Sequence, residues 1–381
     1  MIYLIFSAML PILLLGSAYT GVRLRGFLKL FFPNMKRYVF WLVFSFFPLC
    51  FLTSNLLGVS VAAKILSNIG YIFLGVLMYA FLVLVAIDLV RIFVFAIKKI
   101  TNKELTAKVK RATHIATGSA ACILVAVVVV GGYINANIIK TAEYDVEINK
   151  AAKTDELKVV AVSDLHLGYQ IGATLTERAV KKINQQNPDM VVIVGDIFDG
   201  DMDKVFDLEE IKGILAEIKT KYGVFAVLGN HDRYSVKLEA FLSDSGITLI
   251  TDNSLLINDS FYLVGRNDRN YIGGARNDRE QLKDIMEDVD RTKPIIVLDH
   301  RPDSIDETKN SGADLLLCGH SHKGQVFPAN LITKRVYSTD YGYAEYDDLK
   351  MIVTSGAGYW GPPLRVGSES EIAVINIKFT G

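Results

Sequence analysis

Cysteine is scarce in this chain of 381 residues, and its three copies, Cys50, Cys122 and Cys318, stand far apart. So few thiols do not make the disulfide framework that stabilises small secreted domains, and without a CxxC spacing we expect no thiolate zinc site. Charged residues are also sparse, at 22%, against 51% hydrophobic residues and a mean hydropathy of +0.30. This composition excludes a disordered chain and argues against an ordinary soluble enzyme.

Acidic residues are almost missing from the first 140 residues, where Asp88 and Glu104 stand beside 14 lysines and arginines. The rest of the chain holds 27 basic and 39 acidic residues, together with five of the six histidines. The zero net charge therefore hides two different parts, the first apolar and basic, the second acidic and globular in composition.

Long apolar runs fill the first part, at about 2–19, 38–57, 70–90 and 115–134. A helix of ~20 residues spans the ~30 Å hydrocarbon core of a bilayer, so these runs predict an all-α membrane unit of four transmembrane helices within residues 1–139. Buried core helices are the alternative, but the runs lack an amphipathic stripe. A signal peptide at the first run would need a basic start and a cleavage site, which it lacks.

Basic residues cluster in the loops after the first and third runs, whereas the loop between the second and third has only Lys64. The positive-inside rule makes the two basic loops cytoplasmic. We therefore expect a multi-pass cell-membrane protein with its acidic part outside the cytoplasm, an orientation that one miscounted helix would invert. A short linker is expected at 140–156 and a globular domain at 157–381, close to the bilayer.

Apolar strands alternate with helical segments in the second part, which predicts an α/β layered fold. Five of these strands end in polar clusters, namely SDLH (163–166), GDIFD (195–199), GNHD (229–232), DHRP (299–302) and GHSH (319–322). One such cluster is usually an ordinary loop, but ligands collect at the carboxyl ends of strands, so five should converge. Glycine before Asp196, Asn230 and His320 permits close backbone approach. Carboxylate, imidazole and amide groups without thiolate predict a dinuclear site for Mn, Fe, Co or Zn.

The order DLH, GDIFD, GNHD, DHRPD and GHSH resembles the calcineurin-like metallophosphoesterase superfamily over about residues 157–377. The tail SGAGYWGPPLRVGSESEI (355–372) is similar to the branch that includes bacterial membrane-associated phosphoesterases of the UDP-diacylglucosamine hydrolase type. With its apolar helices, the whole chain resembles a bacterial polytopic membrane phosphoesterase. The resemblance implies two β-sheets packed face to face and flanked by helices.

The resemblance also implies a role for each matching residue. It implies seven ligands for two divalent metal ions: Asp164, His166 and His322 at the first ion, Asn230, His300 and His320 at the second, and Asp196 bridging both. His231 would meet the phosphate oxygens or the leaving group, and Asp199 would orient it. The chain departs from many relatives at Lys323, where they have glycine, and at Ser321, where they have threonine.

These features predict a metal-dependent hydrolase of phosphoester or pyrophosphate bonds, with membrane lipids as partners and lipid-linked or envelope compounds as substrates. Five basic residues are candidates to hold a phosphate, or are solvated surface charges: Arg266, Arg269, Arg276, Arg301 and Lys323. Tyr359 and Trp360 either rest on the headgroup layer or pack within the domain. The alternatives are an inactive phosphoesterase-like membrane sensor or transport-associated protein, and a broad phosphodiesterase acting on soluble substrates. Nucleic acid is not expected, because an acidic domain repels a phosphate backbone.

Overall fold

The structure, a computed structural model, describes residues 2–54, 56–101, 106–268 and 279–381, with the backbone alone for residues 2–12. Its contacts divide the chain into two compact units, of which the first ends at Tyr133 and the second covers Ile134–Gly381. Each unit has its own secondary structure, helical in the first and mixed in the second.

Four helices form the first unit: α1 (Ile2–Leu28), α2 (Arg37–Ser54), α3 (Val61–Thr101) and α4 (Ala107–Ala136), the last of which runs on into the second unit. Within the described residues, α2, α3 and α4 are long and apolar enough to cross a membrane. Three of the predicted spans are thus candidate membrane helices, whereas a crossing by α1 stays a prediction. At 1.5 Å per residue, α3 is about 60 Å long, so its basic end extends well beyond a ~30 Å hydrocarbon core.

Asp88 is the acidic residue inside the apolar run of α3, and its charge is matched by neighbours from the same unit. Tyr19 Oη donates a hydrogen bond of 2.7 Å to Asp88 Oδ2, and Arg91 Nη1 lies 3.2 Å from Oδ1. Arg23 also donates to this carboxylate. Because charges in a membrane segment are costly without partners, these bonds explain how α3 carries an acid.

The second unit is built on two six-stranded sheets. In chain order its strands are β1 (Ile139–Ile148), β2 (Glu156–Val162), β3 (Met190–Val194), β4 (Val224–Val227), β5 (Ile247–Leu249), β6 (Asn253–Ile257), β7 (Phe261–Gly265), β8 (Ile295–Leu298), β9 (Leu315–Cys318), β10 (Gly342–Tyr346), β11 (Leu349–Val353) and β12 (Ser370–Phe379). The first sheet has the order β1-β12-β2-β3-β4-β5, and the second β10-β11-β9-β8-β7-β6. Strands β2, β3 and β4 run parallel to one another, as do β7, β8 and β9.

The two sheets share a core, because alternate residues of both face each other. Val192 and Val194 of the first sheet belong to the same buried cluster as Leu298 and Leu317 of the second. The outer faces are covered by helices α5 (Ala173–Asn184), α6 (Leu208–Leu215), α7 (Val236–Asp244), α8 (Leu282–Ile285) and α9 (Ile305–Asn310). A further helix, α10 (Ala329–Val336), buries none of its residues. Strands buried on both faces read as continuous apolar runs, as β3 does. This confirms the expected α/β domain of two packed sheets flanked by helices.

The segment 140–156, expected to be a linker, contributes an edge strand to the first sheet. Strand β1 runs parallel to β12, from Ile139 beside Ser370 to Ile148 beside Phe379. Along β1, exposed acids alternate with more buried residues such as Val146, which is the pattern of a strand with one covered face. Only two residues separate α4 from β1, so the sheet begins almost directly after the helix.

Candidate metal centre

All five polar clusters follow central parallel strands at the ends where those strands finish. Strands β2, β3 and β4 of the first sheet lead to the clusters of Asp164, Asp196 and Asn230, and β8 and β9 of the second lead to those of His300 and His320. The carboxyl ends of both sheets thus deliver acids, histidines and an amide to one region of the domain, as the sequence predicted.

A first group joins Asp164, His166 and His322, whose candidate ligand atoms all lie within 4.8 Å of one another. Asp164 Oδ1 is 3.2 Å from His322 Nε2, and His166 Nε2 is 3.2 Å from the same nitrogen. The three residues come from two different sheets, which explains why no short sequence motif contains them all.

Asp196 belongs to two further groups, one with His166 and His231 and one with His300 and His320. Its Oδ2 lies 3.7 Å from His166 Nε2 and 3.2 Å from His300 Nε2. One carboxylate therefore faces imidazoles on both sides, which is the geometry that a bridging ligand between two cations needs.

The backbone is held in the left-handed region at five of these residues, with φ between 48° and 69°: Asp164, His166, Asp196, His320 and His322. Such φ values are uncommon outside glycine and cluster at functional sites. Two glycines make room for the turns. A Cβ on Gly229 would lie 2.2 Å from Asp196 Oδ1, and one on Gly319 would lie 2.6 Å from Asp164 Oδ2. The predicted close approach at these glycines is confirmed.

Burial keeps three of the imidazoles neutral. It lowers the pKa of His320 to about 3, with further lowering by His300 and Arg301, and it also lowers the pKa values of His166 and His322. At His300 burial acts in the same direction, but the facing Asp196 carboxylate outweighs it and raises the pKa to about 10. A positive charge is therefore favoured where His300 faces Asp196. The three neutral imidazoles can serve as nitrogen ligands around it.

Two buried oxygen atoms at the centre, Asp164 Oδ1 and Asn230 Oδ1, have no hydrogen-bond partner among the described residues. Leaving such atoms unpaired costs about 1–3 kcal/mol each, so a native fold rarely keeps several together without a ligand. His300 Nδ1 donates a hydrogen bond of 2.8 Å to the carbonyl oxygen of Val194, so Nε2, which faces Asp196, is the nitrogen that would bind a cation in place of its proton. The residues present fit two divalent cations with nitrogen and oxygen ligands.

His231 stands beside this centre with the carboxylate that was predicted to orient it. Its Nδ1 is 3.1 Å from Asp199 Oδ1, and its backbone N–H donates to Asp196 Oδ1 at 2.8 Å. Burial disfavours the charged ring, but the hydrogen bond to Asp199 and the charges of Asp196 and Asp199 outweigh burial and raise the pKa of His231. The ring is thus suited to carry a proton near neutral pH.

Asp232 has a structural part in the centre that the sequence did not reveal. Its buried carboxylate accepts backbone N–H bonds from Ile197 at 3.1 Å, from Phe198 at 2.8 Å and from Gly229 at 2.9 Å. It therefore ties the loop after β3, which carries Asp196, to the loop after β4, which carries Asn230. The only sequence signal for it was an acid directly after the Asn-His pair.

Arg365 is a second residue that sequence reasoning missed. Its guanidinium is buried and donates to the carbonyl oxygens of His322 at 3.2 Å and Gly358 at 2.6 Å. It thereby links the loop that carries His322 to the segment after β11. A lone arginine between the apolar residues Leu364 and Val366 was the available signal.

Three of the five basic residues considered for phosphate binding are engaged elsewhere. Arg266 is only 1% exposed and pairs with both oxygens of Glu307, so it is neither a free phosphate ligand nor a solvated charge. Arg301 Nε donates to Asp268 Oδ2 at 2.8 Å, and Lys323 Nζ lies 3.9 Å from the centroid of the Tyr341 ring. The other two candidates, Arg269 and Arg276, lie outside the described residues.

The two neighbouring aromatic residues of the tail have different environments. Tyr359 is buried in the core cluster outside the first sheet, as the packing alternative predicted. Trp360 is 52% exposed, and its ring centroid lies 5.7 Å from that of His231. An apolar side chain therefore borders the candidate centre on the side of His231.

Residues 157–324 match the family model described as calcineurin-like phosphoesterase. An uncharacterised metallophosphoesterase of Aquifex aeolicus is 31% identical over 261 residues, which cover 67% of this chain and 98% of that protein. The chain belongs to the calcineurin-like metallophosphoesterase family. This confirms the resemblance carried by the five clusters, although not the finer likeness to UDP-diacylglucosamine hydrolases.

Other relatives of this metallophosphoesterase extend the comparison. An uncharacterised metallophosphoesterase of Campylobacter jejuni is 36% identical over 251 residues, 64% of this chain and 65% of that protein. The match therefore spans just under two thirds of that relative's length. A Danio rerio protein named "Transmembrane protein with metallophosphoesterase domain" is 29% identical over 329 residues, 80% of this chain and 74% of its own. With the three apolar helices, these relatives indicate a membrane protein.

Proposed function

We propose that this chain is a membrane-anchored, dinuclear-metal phosphoesterase that hydrolyses phosphoester or pyrophosphate bonds of lipid-linked or envelope substrates outside the cytoplasm. The observation that carries the proposal is the convergence of acids and histidines from both sheets around one shared carboxylate, that of Asp196. Unpartnered buried ligand atoms in the same place support it.

Seven residues would hold the cations: Asp164, His166 and His322 the first, Asn230, His300 and His320 the second, and Asp196 both. When bound, such a pair lowers the pKa of a coordinated water and neutralises charge on the phosphoryl oxygens. The chain's own contribution is to keep these ligands rigid, because strained turns and a buried hydrogen bond fix most of them before any substrate arrives.

His231 would donate a proton to the oxygen that leaves phosphorus. Its Nδ1 is engaged by Asp199, so Nε2 is the ring nitrogen that gives up the proton as the phosphorus–oxygen bond breaks. General acid help of this kind accelerates a reaction by ~10²–10⁴-fold. Asp199 acts through His231 and is therefore a positioning residue.

Lipid-linked substrates are favoured because the catalytic domain follows a membrane helix directly. Only two residues separate α4 from β1, so the chain of the domain begins where the predicted membrane helix ends. The exposed Trp360 beside His231 offers an apolar surface next to the reacting group.

The orientation rests on the basic segment where α3 ends and α4 begins. Residues 91–111 hold seven lysines and arginines, so the positive-inside rule keeps this segment in the cytoplasm and α4 carries the domain to the other side. With α1 as the fourth span, both termini lie outside. We expect an alkaline phosphatase fusion at Gly381 to be active and a green fluorescent protein fusion there to be dark. The reverse pattern would contradict the proposed topology.

Activity should be measured on the purified full chain in detergent, with Mn, Fe, Co or Zn supplied in turn. We expect hydrolysis of bis-p-nitrophenyl phosphate and of at least one lipid-linked phosphate or pyrophosphate. Asp196→Asn should lower turnover by more than about 100-fold, the upper end for residues that only support ligands. Asp244→Asn, at an exposed acid on α7, is the matched control and should retain activity. Metal-loaded wild type without turnover on any substrate would instead favour the inactive sensor.

The role of His231 predicts an effect that depends on the leaving group. His231→Ala should slow hydrolysis of an alkyl phosphoester far more than that of a p-nitrophenyl ester, because p-nitrophenolate departs without protonation. The two values of kcat would be compared under one metal condition. Equal losses on both substrates would rule out the acid role and leave His231 as a binding group.

A further inference from the structure

Helix α10 presents its apolar side chains to solvent instead of to the domain. Leu331, Ile332 and Val336 are 54%, 63% and 66% exposed, although a surface helix normally buries its apolar stripe against the core. The polar side faces the domain instead. Thr333 Oγ1 donates a 2.7 Å hydrogen bond to Asp340 Oδ2, and Asn330 packs closely against Gly324.

The charge of α10 differs from that of the domain around it. Its sequence, ANLITKRV, contains no acid, and Lys334 and Arg335 lie exposed in its last turn beside the apolar residues. The chain after residue 140 otherwise has an excess of acids. An apolar stripe with adjoining basic residues is the composition of helices that lie in the headgroup region of an anionic bilayer.

The helix is joined to the rim of the candidate metal centre. The turn His322–Gly324 precedes it, and the intervening Gln325 exchanges hydrogen bonds of 2.8 Å with Trp360 through its side-chain amide. Phe327 N–H donates to Val366 O at 2.7 Å, which fixes the start of α10 to the segment that carries Trp360. Whatever α10 contacts is therefore brought close to the centre.

We infer that α10 is a lipid-contact helix, which lies in the headgroup layer of an anionic membrane with Leu331, Ile332 and Val336 inserted. The basic residues complement anionic headgroups, and the domain's chain begins two residues after a predicted membrane helix, α4. A second copy of the chain is a poorer occupant, because a two-fold contact through α10 would bring Lys334 and Arg335 of both copies together.

Photo-crosslinking of the full chain in nanodiscs containing phosphatidylglycerol tests this inference. A p-benzoylphenylalanine would replace Ile332 in one variant and Val236 in a control variant. Val236 lies on α7 of the same domain and is 79% exposed, so it matches Ile332 in type and exposure. After illumination, mass spectrometry would count lipid adducts and cross-linked chains.

We expect lipid adducts at position 332 and few at position 236. Adding Lys334→Glu and Arg335→Glu should lower the yield at 332 by about fivefold or more, since each basic residue near an anionic surface contributes a binding factor of that order. Absence of lipid adducts at 332, equal yields at both positions, or cross-linked dimers through 332 would each overturn the inference. Cross-linking to lipid requires no catalysis. A negative result would therefore overturn the lipid contact of α10 without bearing on the proposed phosphoesterase activity.

Discussion

At the scale of single residues, the hydrogen bonds of Asp232 predict that a carboxylate outside the seven candidate ligands affects metal binding. In Asp232→Asn the amide NH2 would face backbone N–H groups, so at least one of the three hydrogen bonds is lost and a donor is left unpaired. We expect the free energy of unfolding to fall by about 1–3 kcal/mol and metal affinity to fall with it. Chemical unfolding and metal titration measure the two effects. Asp244→Asn is the control, and unchanged metal affinity in Asp232→Asn would contradict this role.

The ion pair of Arg266 and Glu307 predicts a pH dependence of stability. Burial raises the pKa of Glu307, but the hydrogen bond from Arg266 and the backbone N–H of Leu282 outweigh burial and lower it to about 2. Because the folded pKa lies below the unfolded value near 4.5, the stabilisation is full above about pH 4.5 and is lost as the pH falls towards 2.

Thermal unfolding of wild type and Glu307→Gln between pH 6 and pH 2 checks this dependence. The variant should be less stable at pH 6, because it removes the carboxylate that pairs with both terminal nitrogens of the buried Arg266. The difference between the two melting temperatures should shrink as the pH falls below 4.5. A difference that stays constant over this range would contradict the assignment to Glu307.

Residue identities at the centre were predictable from sequence, but the partners of buried arginines were not. Asp164, Asp196 and His320 each follow an apolar strand, so their shared location follows from the topology of parallel sheets. Arg266 follows a strand as well, yet its charge is neutralised by Glu307, 41 positions along the chain. No local pattern encodes such a pairing.

At the scale of elements, we expect opposite effects from alanine at two glycines, Gly229 in the turn after β4 and Gly213 inside α6. Gly229→Ala would place a Cβ 2.2 Å from Asp196 Oδ1 and displace the shared carboxylate. We expect this variant to lose most of its metal affinity and activity. Gly213→Ala lies inside α6 with nothing within 4 Å of the new Cβ among the described residues, so it should stabilise the helix by about 0.5–1 kcal/mol. Metal titration and unfolding of both variants test the contrast, and full metal binding by Gly229→Ala would contradict it.

The elements that the sequence predicted are those whose burial produces a simple pattern of apolar residues. Strand β3, buried on both faces, reads as an uninterrupted apolar run. Strand β1 was taken for a linker because its alternating acids, such as Glu143 and Asp145, resemble a polar spacer until the pairing with β12 is known. Helix α10 was missed because its apolar residues follow no core-facing pattern, which is consistent with a partner outside the domain.

At the scale of the whole molecule, the sequence predicted an apolar helical unit followed by an α/β metallophosphoesterase domain, and both are present. The two sheets of the domain pack so that the carboxyl ends of β2, β3 and β4 meet those of β8 and β9. A centre assembled from both sheets depends on their packing, so metal binding should also stabilise the folded domain. Wild type should therefore melt at a higher temperature with Mn²⁺ than with a chelator, whereas Asp196→Asn should show a smaller shift.

The most direct measurement for the account is the number of divalent ions bound per chain. Elemental analysis of the full-length protein, purified in detergent and dialysed against Mn²⁺, should find two ions per chain in wild type. Asp196→Asn, which loses the shared carboxylate, should hold fewer than two, and Asp244→Asn should hold two. Wild type without bound metal, or two ions retained by Asp196→Asn, would contradict a dinuclear centre built around Asp196.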